Sequence, residues 1–337
     1  MPTSQFRQYT SADVGAPPMS GATGSLIAVL NYCLVSGSNW SQSFVSGSVY
    51  AAYQPPSGSR LHLYVNDSGP TFAAGGKEAW ITGWENITGS GAGPTGNTTG
   101  SVGVGVGQFP LPAQSLTDGK VVCRKSVAAN TGSIPYWQVY ADSYTMYAFF
   151  MTGDIATYSG YFTIWFGDVY SLKGVTDEYR CMIHGRQIVN SAAAGSTSDN
   201  TDMVGNLNVN TSNGNGMYMA RSFSGVGTGI TVNKLGDGSK YGVSIGTMVA
   251  AVGTGTAPNP ADNSFSIAPL TIWEHATLAI RGRVRGLWYW GHPLTTLTDG
   301  QVISGSNSQV GKLFKKIGPG VNSGMWLVEI SNTVETN

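Results

Sequence analysis

The stretch YWQVYADSYTMYAFFMTGDIATYSGYFTIWFGDVY, residues 136–170, decides how this chain reads. Trp137-Gln138-Val139-Tyr140 and the run from Tyr144 to Met151 flank Ala141-Asp142-Ser143, the pattern of a hairpin with a three-residue turn. Thr152-Gly153-Asp154 opens a loop, and Tyr161-Phe162-Thr163-Ile164-Trp165-Phe166 reads as a further strand. No other part of the chain is as dense in aromatic residues. Aromatic and β-branched side chains suit a half-buried pleated surface, so this segment is the expected structural core.

The same signals extend outward on both sides. Leu61-His62-Leu63-Tyr64-Val65 reads as a strand that stops at the turn cluster Asn66-Asp67-Ser68-Gly69-Pro70, and Glu78 to Trp84 resumes as a strand. Further strands are expected at 216–221, 229–232, 280–290 and 325–330. Helical spacing is convincing once: Leu26, Ile27, Leu30 and Leu34 form one apolar stripe, with Val29 and Cys33 on its flank. A helix is expected near 23–36, with Ser20 and Thr23 as cap candidates and Gly37 as a left-handed C-terminal residue. Two segments, 86–107 and 190–216, are rich in Gly, Ser, Thr and Asn; the first reads as a long exposed loop or an ordering arm and the second as a loop. TDGKVV at 117–122 and TDGQVI at 298–303 each read as an Asp-Gly turn entering a strand, a convergence of turn chemistry rather than a repeat.

The expected fold is therefore all-β with one N-terminal helix. It is β-sandwich-like or barrel-like, either one body or two packed β-subdomains with long Gly-rich loops. The organisation reads as 1–189, the helix plus an aromatic-rich β-domain; 190–216, a loop or boundary; and 217–337, a C-terminal β-domain.

Composition narrows the function classes. The 337 residues include 47 Gly but only 18 Lys+Arg and 18 Asp+Glu, so glycine is abundant and charge is scarce. Hydrophobic residues at 41%, with nine Trp and 16 Tyr, supply ample material for a core. No apolar run is long enough to cross a bilayer as a helix, so no membrane insertion is expected. A net charge of zero without a basic block argues against a nucleic-acid partner. MPTSQFRQYTSADVG lacks a basic segment followed by an apolar one, so no secretory signal is expected. Cys33, Cys123 and Cys181 are odd in number and widely spaced, which fits buried free thiols better than disulfides or a metal site.

Nothing selects a catalytic constellation. His62, His184, His275 and His292 are isolated from metal-ligand spacings, and Gly236-Asp237-Gly238-Ser239 lacks the further ligands of a calcium loop. Gly103-Val104-Gly105-Val106-Gly107 lacks the spacing of a dinucleotide loop. No metal, cofactor or enzymatic activity is expected. The most unusual charged feature is Arg281, Arg283 and Arg285, at alternate positions and hence on one face of a strand. It reads either as a strip pairing with a carboxylate-rich neighbouring subunit or as the solvated face of an edge strand, with sugar or phosphate contact as a third reading. Trp288 and Trp290 share one side of the same strand and are candidates for stacking on a glycan, against the alternative of core packing.

The order of several motifs resembles a known group. FRQYTSADVGAPPMSGATGSLIAVLNYCLVSG at 6–37 is followed by LHLYVNDSGP, KEAWITGWENIT, VVCRKS, YTMYAFFMTGD, FGDVYSL, EYRCMIHGR, YMARSF, GLWYWGHPLTTLTDGQVISG and MWLVEISNT, covering most of the chain. In this it resembles a family of tailed-bacteriophage virion structural proteins, described as structural or tail-associated. The 86–107 segment is richer in Gly and Thr than is usual there. The resemblance implies a non-enzymatic virion subunit, assembled in the host bacterial cytoplasm, whose partners are its own copies and other virion proteins. A tail position (tip, baseplate or fibre-anchoring collar) is the first expectation. Capsid decoration and a receptor- or glycan-binding adhesion module, with a host surface glycan as partner, are the alternatives.

Overall fold

The computed structural model describes residues 6–69, 71–72, 76–87, 105–111, 119–126, 134, 136–151, 161–186, 215–226, 228–234, 267–274, 279–290, 300–306, 309–317 and 326–330. The chain is all-β with a single short α-helix among these residues. In order it forms β1 (Arg7–Thr10), α1 (Ser25–Leu30), β2 (Ser41–Ser46), β3 (Tyr50–Gln54), β4 (His62–Asn66), β5 (Thr71–Phe72), β6 (Gly76–Ile87) and β7 (Gly105–Phe109). Then come β8 (Val121–Arg124), β9 (Tyr136–Ala141), β10 (Thr145–Met151), β11 (Tyr161–Ser171), β12 (Cys181–Arg186) and β13 (Asn215–Arg221). The last strands are β14 (Thr228–Lys234), β15 (Ile267–Glu274), β16 (Ile280–Trp290), β17 (Val302–Ser304), β18 (Leu313–Ile317) and β19 (Trp326–Ile330).

The hairpin read from 136–151 is present. β9 and β10 pair from Met146↔Ala141 to Met151↔Tyr136. Asp142 shapes the turn: its N–H donates to Thr145 O at 3.0 Å, and its Oδ1 accepts from the N–H groups of Tyr144 and Thr145, each at 2.8 Å. An Asp side chain that takes up the next backbone donors is a standard turn device. From here the strands follow one another antiparallel, β10 to β11, β11 to β12 and β12 to β13.

This wall is buried on both faces. Met146, Ala148, Phe150, Ile164, Phe166, Cys181, Ile183, Tyr218 and Ala220 face the core under the helix. Tyr147, Phe149, Trp165, Met182, Met217 and Met219 face a second core. Strands covered on both sides have no reason to alternate apolar with polar, which explains the near-continuous apolar runs in 144–151 and 161–166.

The second core is lined by a closed ring of strands together with residues of β9, β10, β18 and β19. β11 to β16 pair each with the next, and β16 returns to β11 through Val169↔Val284, Tyr170↔Arg283 and Ser171↔Gly282. Closure removes the sheet edges that would otherwise be open to pairing with other chains. Gly282, at φ 151°, is required at the closure, because a Cβ there would run into the Tyr170 carbonyl. Three further strands extend the ring as β16–β19–β18–β17. On the other side β12 meets β8, which continues through β6, β4 and β3 to β2, while β7 pairs with the same edge of β6 as β8, farther along the strand.

The helix covers the outer face of the wall. Leu26, Ile27, Val29, Leu30, Cys33 and Leu34 pack on Tyr53, Leu63, Val65, Ile81, Val121 and Trp137. Against the expected 23–36, the helix starts two residues later and ends one residue later. Ser25–Leu30 is α-helical and Asn31–Gly37 continues as π-helix. Neither Ser20 nor Thr23 caps it; Gly24 occupies the N-cap with φ 92° and offers no side chain. Instead Asp67, 41 residues away, accepts hydrogen bonds from Leu26 N (3.1 Å) and Ile27 N (3.3 Å). The left-handed residue after the helix is Asn39, at φ 59°, not Gly37. Gly37 is needed because the Tyr9 ring lies against its Cα.

The expected loops are partly strand. Residues 88–104 of the 86–107 segment lie outside the described residues, but its ends pair as Asn86↔Val106 and Ile87↔Gly105. Of 190–216, residues 190–214 lie outside the described residues and 215–216 begin β13. Arg7–Thr10, ahead of the helix, pairs with β9. Gly119 and Gly300 both sit at left-handed φ, 78° and 79°, just before β8 and β17, as the shared Asp-Gly motif predicts.

On the face of β4 away from the helix, His62 is held neutral. Arg60 O accepts from Gln54 Nε2 at 2.7 Å and an Arg60 guanidinium nitrogen donates to Gln54 Oε1 at 3.1 Å, which orients the amide. Gln54 Nε2 therefore donates to His62 Nε2 at 3.2 Å, leaving Nδ1 to donate to Ser43 Oγ at 2.9 Å. Burial, then the nearby Arg60 charge, lowers the imidazole from 6.5 to about 4. Between those values the unfolded chain takes a proton that the folded chain refuses. Stability is therefore full above pH 6.5 and falls on acidification toward pH 4, by about 2–3 kcal/mol after discounting for solvent screening. Urea unfolding of wild type and His62→Gln at pH 7 and 4.5 checks this. The wild type should lose more than the variant, and parallel losses would refute the assignment.

Candidate functional site: an arginine–carboxylate belt

The outside of the strand ring carries a set of buried and partly buried ion pairs. Arg285 binds Asp142 Oδ2 at 2.8 Å while its guanidinium lies over the rings of Tyr144 (4.2 Å) and Tyr170 (4.7 Å). Asp168, at the end of the β11 wall, takes Arg180 Nε at 2.7 Å and Ser59 N at 2.9 Å, and contacts Ser59 Oγ. Burial raises the Asp168 carboxyl above its usual range, against the opposing pull of Ser59 and Arg180.

The next links gather the loop between β11 and β12. Arg180 also donates to the carbonyls of Val175 (2.8 Å) and Asp177 (3.1 Å), and Ser171 Oγ donates to Asp177 Oδ2 at 2.6 Å. Arg281, fully buried, then reaches Asp177 Oδ2 at 2.9 Å and Glu274 Oε1 at 3.3 Å. Glu274 also accepts from Phe223 N, tying in the turn after β13. Arg221 completes the set with two 2.6 Å bonds to the Glu85 carboxylate, a stacked contact on Tyr179 and a 3.2 Å bond to Gly225 O. Hydrogen bonding to Glu85 raises the Arg221 guanidinium further, keeping it charged. Paired forks of this kind are directional and short, so they hold loops in one geometry.

Exposed apolar side chains stand on these loops, beside the exposed Lys173 and Glu178. Leu172 (63% exposed), Val175 (88%), Val226 (84%) and Ile280 (41%) project from the segments that the arginines anchor. Leu172 N donates to Arg281 O at 3.1 Å, so the backbone beneath Leu172 is tied to the belt itself. The arrangement pairs Arg180, Arg281 and Arg285 with carboxylates inside the fold and leaves Leu172, Val175, Val226 and Ile280 outside.

The sequence-predicted residues fall as follows. Arg281 and Arg285 are buried, at 0% and 4% exposure, with partners inside the chain, so neither lies on a solvated strip. Arg283 is half-buried and pairs in the ladder with Tyr170 and Thr271. Trp288 is buried against Phe314, with its Nε1 donating to Glu329 Oε2 at 3.1 Å and Lys312 Nζ 5.1 Å above the ring. The side chain of Trp290 lies outside the described residues, as do Gly236–Ser239, His275 and His292. Sequence reasoning missed Asp142, Asp168, Asp177, Arg180, Arg221 and Glu274 as partners. The one available signal was that Glu274 and Arg281 lie only seven positions apart in the sequence.

Among the described residues, no three His, Cys, Asp or Glu side chains come together as a metal site, and no helix is long and apolar enough to cross a membrane. All three cysteines are free and buried. One string, Gly242-Val243-Ser244-Ile245-Gly246, has the GxSxG spacing of a nucleophile turn and lies outside the described residues. No protein-family model and no curated protein matches the chain.

Proposed function

We propose that this chain is a non-enzymatic structural subunit of a tailed-bacteriophage virion, tail-associated at the tip, baseplate or fibre-anchoring collar, and acting by multimeric assembly. The observation that carries the assembly reading is the pairing of scarce charges inside rigid loops that display Leu172, Val175, Val226 and Ile280. Protein interfaces are depleted in charge at their centres, and rigid loops lose little entropy on association. The motif order that resembles tailed-phage structural proteins supports the virion and the tail. Trp288, buried and bonded to Glu329, gives the glycan-adhesion alternative no support.

Immunogold labelling of purified virions of the encoding phage, with mass spectrometry of the same particles, tests the proposal. Gold confined to the tail is expected. Gold spread over the head would move the subunit to capsid decoration, and absence of its peptides from the particles would end the virion reading.

A further inference from the structure

Beneath the start of the helix lies a second buried ion pair, separate from the belt. Lys125 Nζ contacts Asp67 Oδ1, and both side chains are 0% exposed. The amine is aimed by two carbonyls, Ala22 O at 2.9 Å and Asp67 O at 3.0 Å. The other carboxylate oxygen, Oδ2, takes the N–H groups of Leu26 and Ile27. The surroundings are apolar, with Cys123, Leu26, Ile27, Val65 and Ala79 in the same buried cluster.

We propose that Lys125 and Asp67 condense into an intramolecular isopeptide bond. A proton passes from the ammonium to Oδ1, leaving a neutral amine beside a carboxylic acid. The Nζ lone pair attacks Cγ, forming the C–N bond and placing negative charge on Oδ2, where two backbone N–H donors are already in position. Collapse reforms the carbonyl and breaks the Cγ–Oδ1 bond. Oδ1 leaves as water with a second proton from the nitrogen. The net change is one amide gained and one water lost, with no oxidant or co-reactant.

The environment favours the reactive protonation states. Burial raises the Asp67 carboxyl, with Lys125 opposing, and lowers the Lys125 ammonium, with Asp67 opposing. Both shifts point toward the uncharged pair that condensation needs. The product would join the residue after β4 to the residue after β8, bridging positions 58 apart in sequence directly under the helix start.

Intact-mass measurement of the denatured wild-type chain, followed by tryptic mapping, tests this. The expected result is a mass lower by one water, with Leu61–Lys77 recovered joined to a peptide that begins at Lys125 and is not cleaved after it. Lys125→Arg should restore the full mass. A wild-type chain of full mass, with the two peptides linear, would overturn the proposal. So would a water loss that persists in Lys125→Arg, since that marks a cyclic imide at Asp67 rather than a cross-link.

Discussion

Arg281→Met should destabilise the fold by about 3–5 kcal/mol, because removing one partner of a buried ion pair strands the other charge. Here the guanidinium serves two carboxylates, Asp177 at 3% exposure and Glu274 at 0%. Met fills similar volume, so the loss isolates charge from packing. Asp177 would keep Ser171 Oγ, and Glu274 would keep Phe223 N, so neither carboxylate is wholly abandoned. Adding Asp177→Asn and Glu274→Gln to Arg281→Met should recover part of the loss, since the stranded charges are then gone. Urea unfolding of the single and triple variants measures both quantities. A single-variant loss below about 1 kcal/mol would mean that the network behaves like an exposed pair and does not hold the loops.

Trp165→Ala should cost a similar amount, about 3–5 kcal/mol, from lost transfer energy and the cavity left behind. The ring is fully buried in the core that the closed strands line, edge-on to Tyr147 at 5.7 Å and 4.5 Å from the His184 ring. It sits on a wall with a second core behind it, where Ile164 and Phe166 point the other way. Closure limits how far the strands can move in to fill the space, which favours the upper end of the range. Trp165→Phe retains an aromatic partner for Tyr147 and should lose clearly less. Chemical denaturation, read by far-ultraviolet circular dichroism so that the missing indole does not bias the signal, compares the two. Equal losses would show that volume at this site does not matter, contrary to a packed interior.

Much of the architecture could be read along the chain because its signals are local. The 136–151 hairpin follows from Asp142 and its flanking apolar runs, and Asn66 stops β4 by accepting Ser68 N at 3.0 Å. The apolar stripe at 26–34 places a helix face without reference to anything it meets. The helix ends were less legible. Its N-terminal donors are satisfied by Asp67, which belongs to a turn that sequence reasoning assigned only a turn's role.

The arginines of the belt were legible, but their partners within the chain were not. Arg281, Arg283 and Arg285 do alternate on β16, yet alternation says only which side of a strand a residue takes. It does not say whether that side is covered. Here the loop carrying Asp177 and the hairpin turn carrying Asp142 fold over it, and Arg285 and Asp142 are 143 residues apart. Trp288 likewise lies on its expected strand, but only the approach of Phe314 and Glu329 turns it from a platform into core.

The sequence by itself determined the class of fold, the central hairpin, the helix and the scarcity of charge, because turn chemistry and side-chain periodicity act over a few residues. Only the tertiary structure decided that six strands close on themselves, that the wall at β10 to β13 is buried twice, and that Arg281 and Arg285 meet their carboxylates inside the fold. Those outcomes rest on contacts between segments far apart in the chain. A buried charge is stable only beside its partner, and the partner's position exists only once the chain has folded.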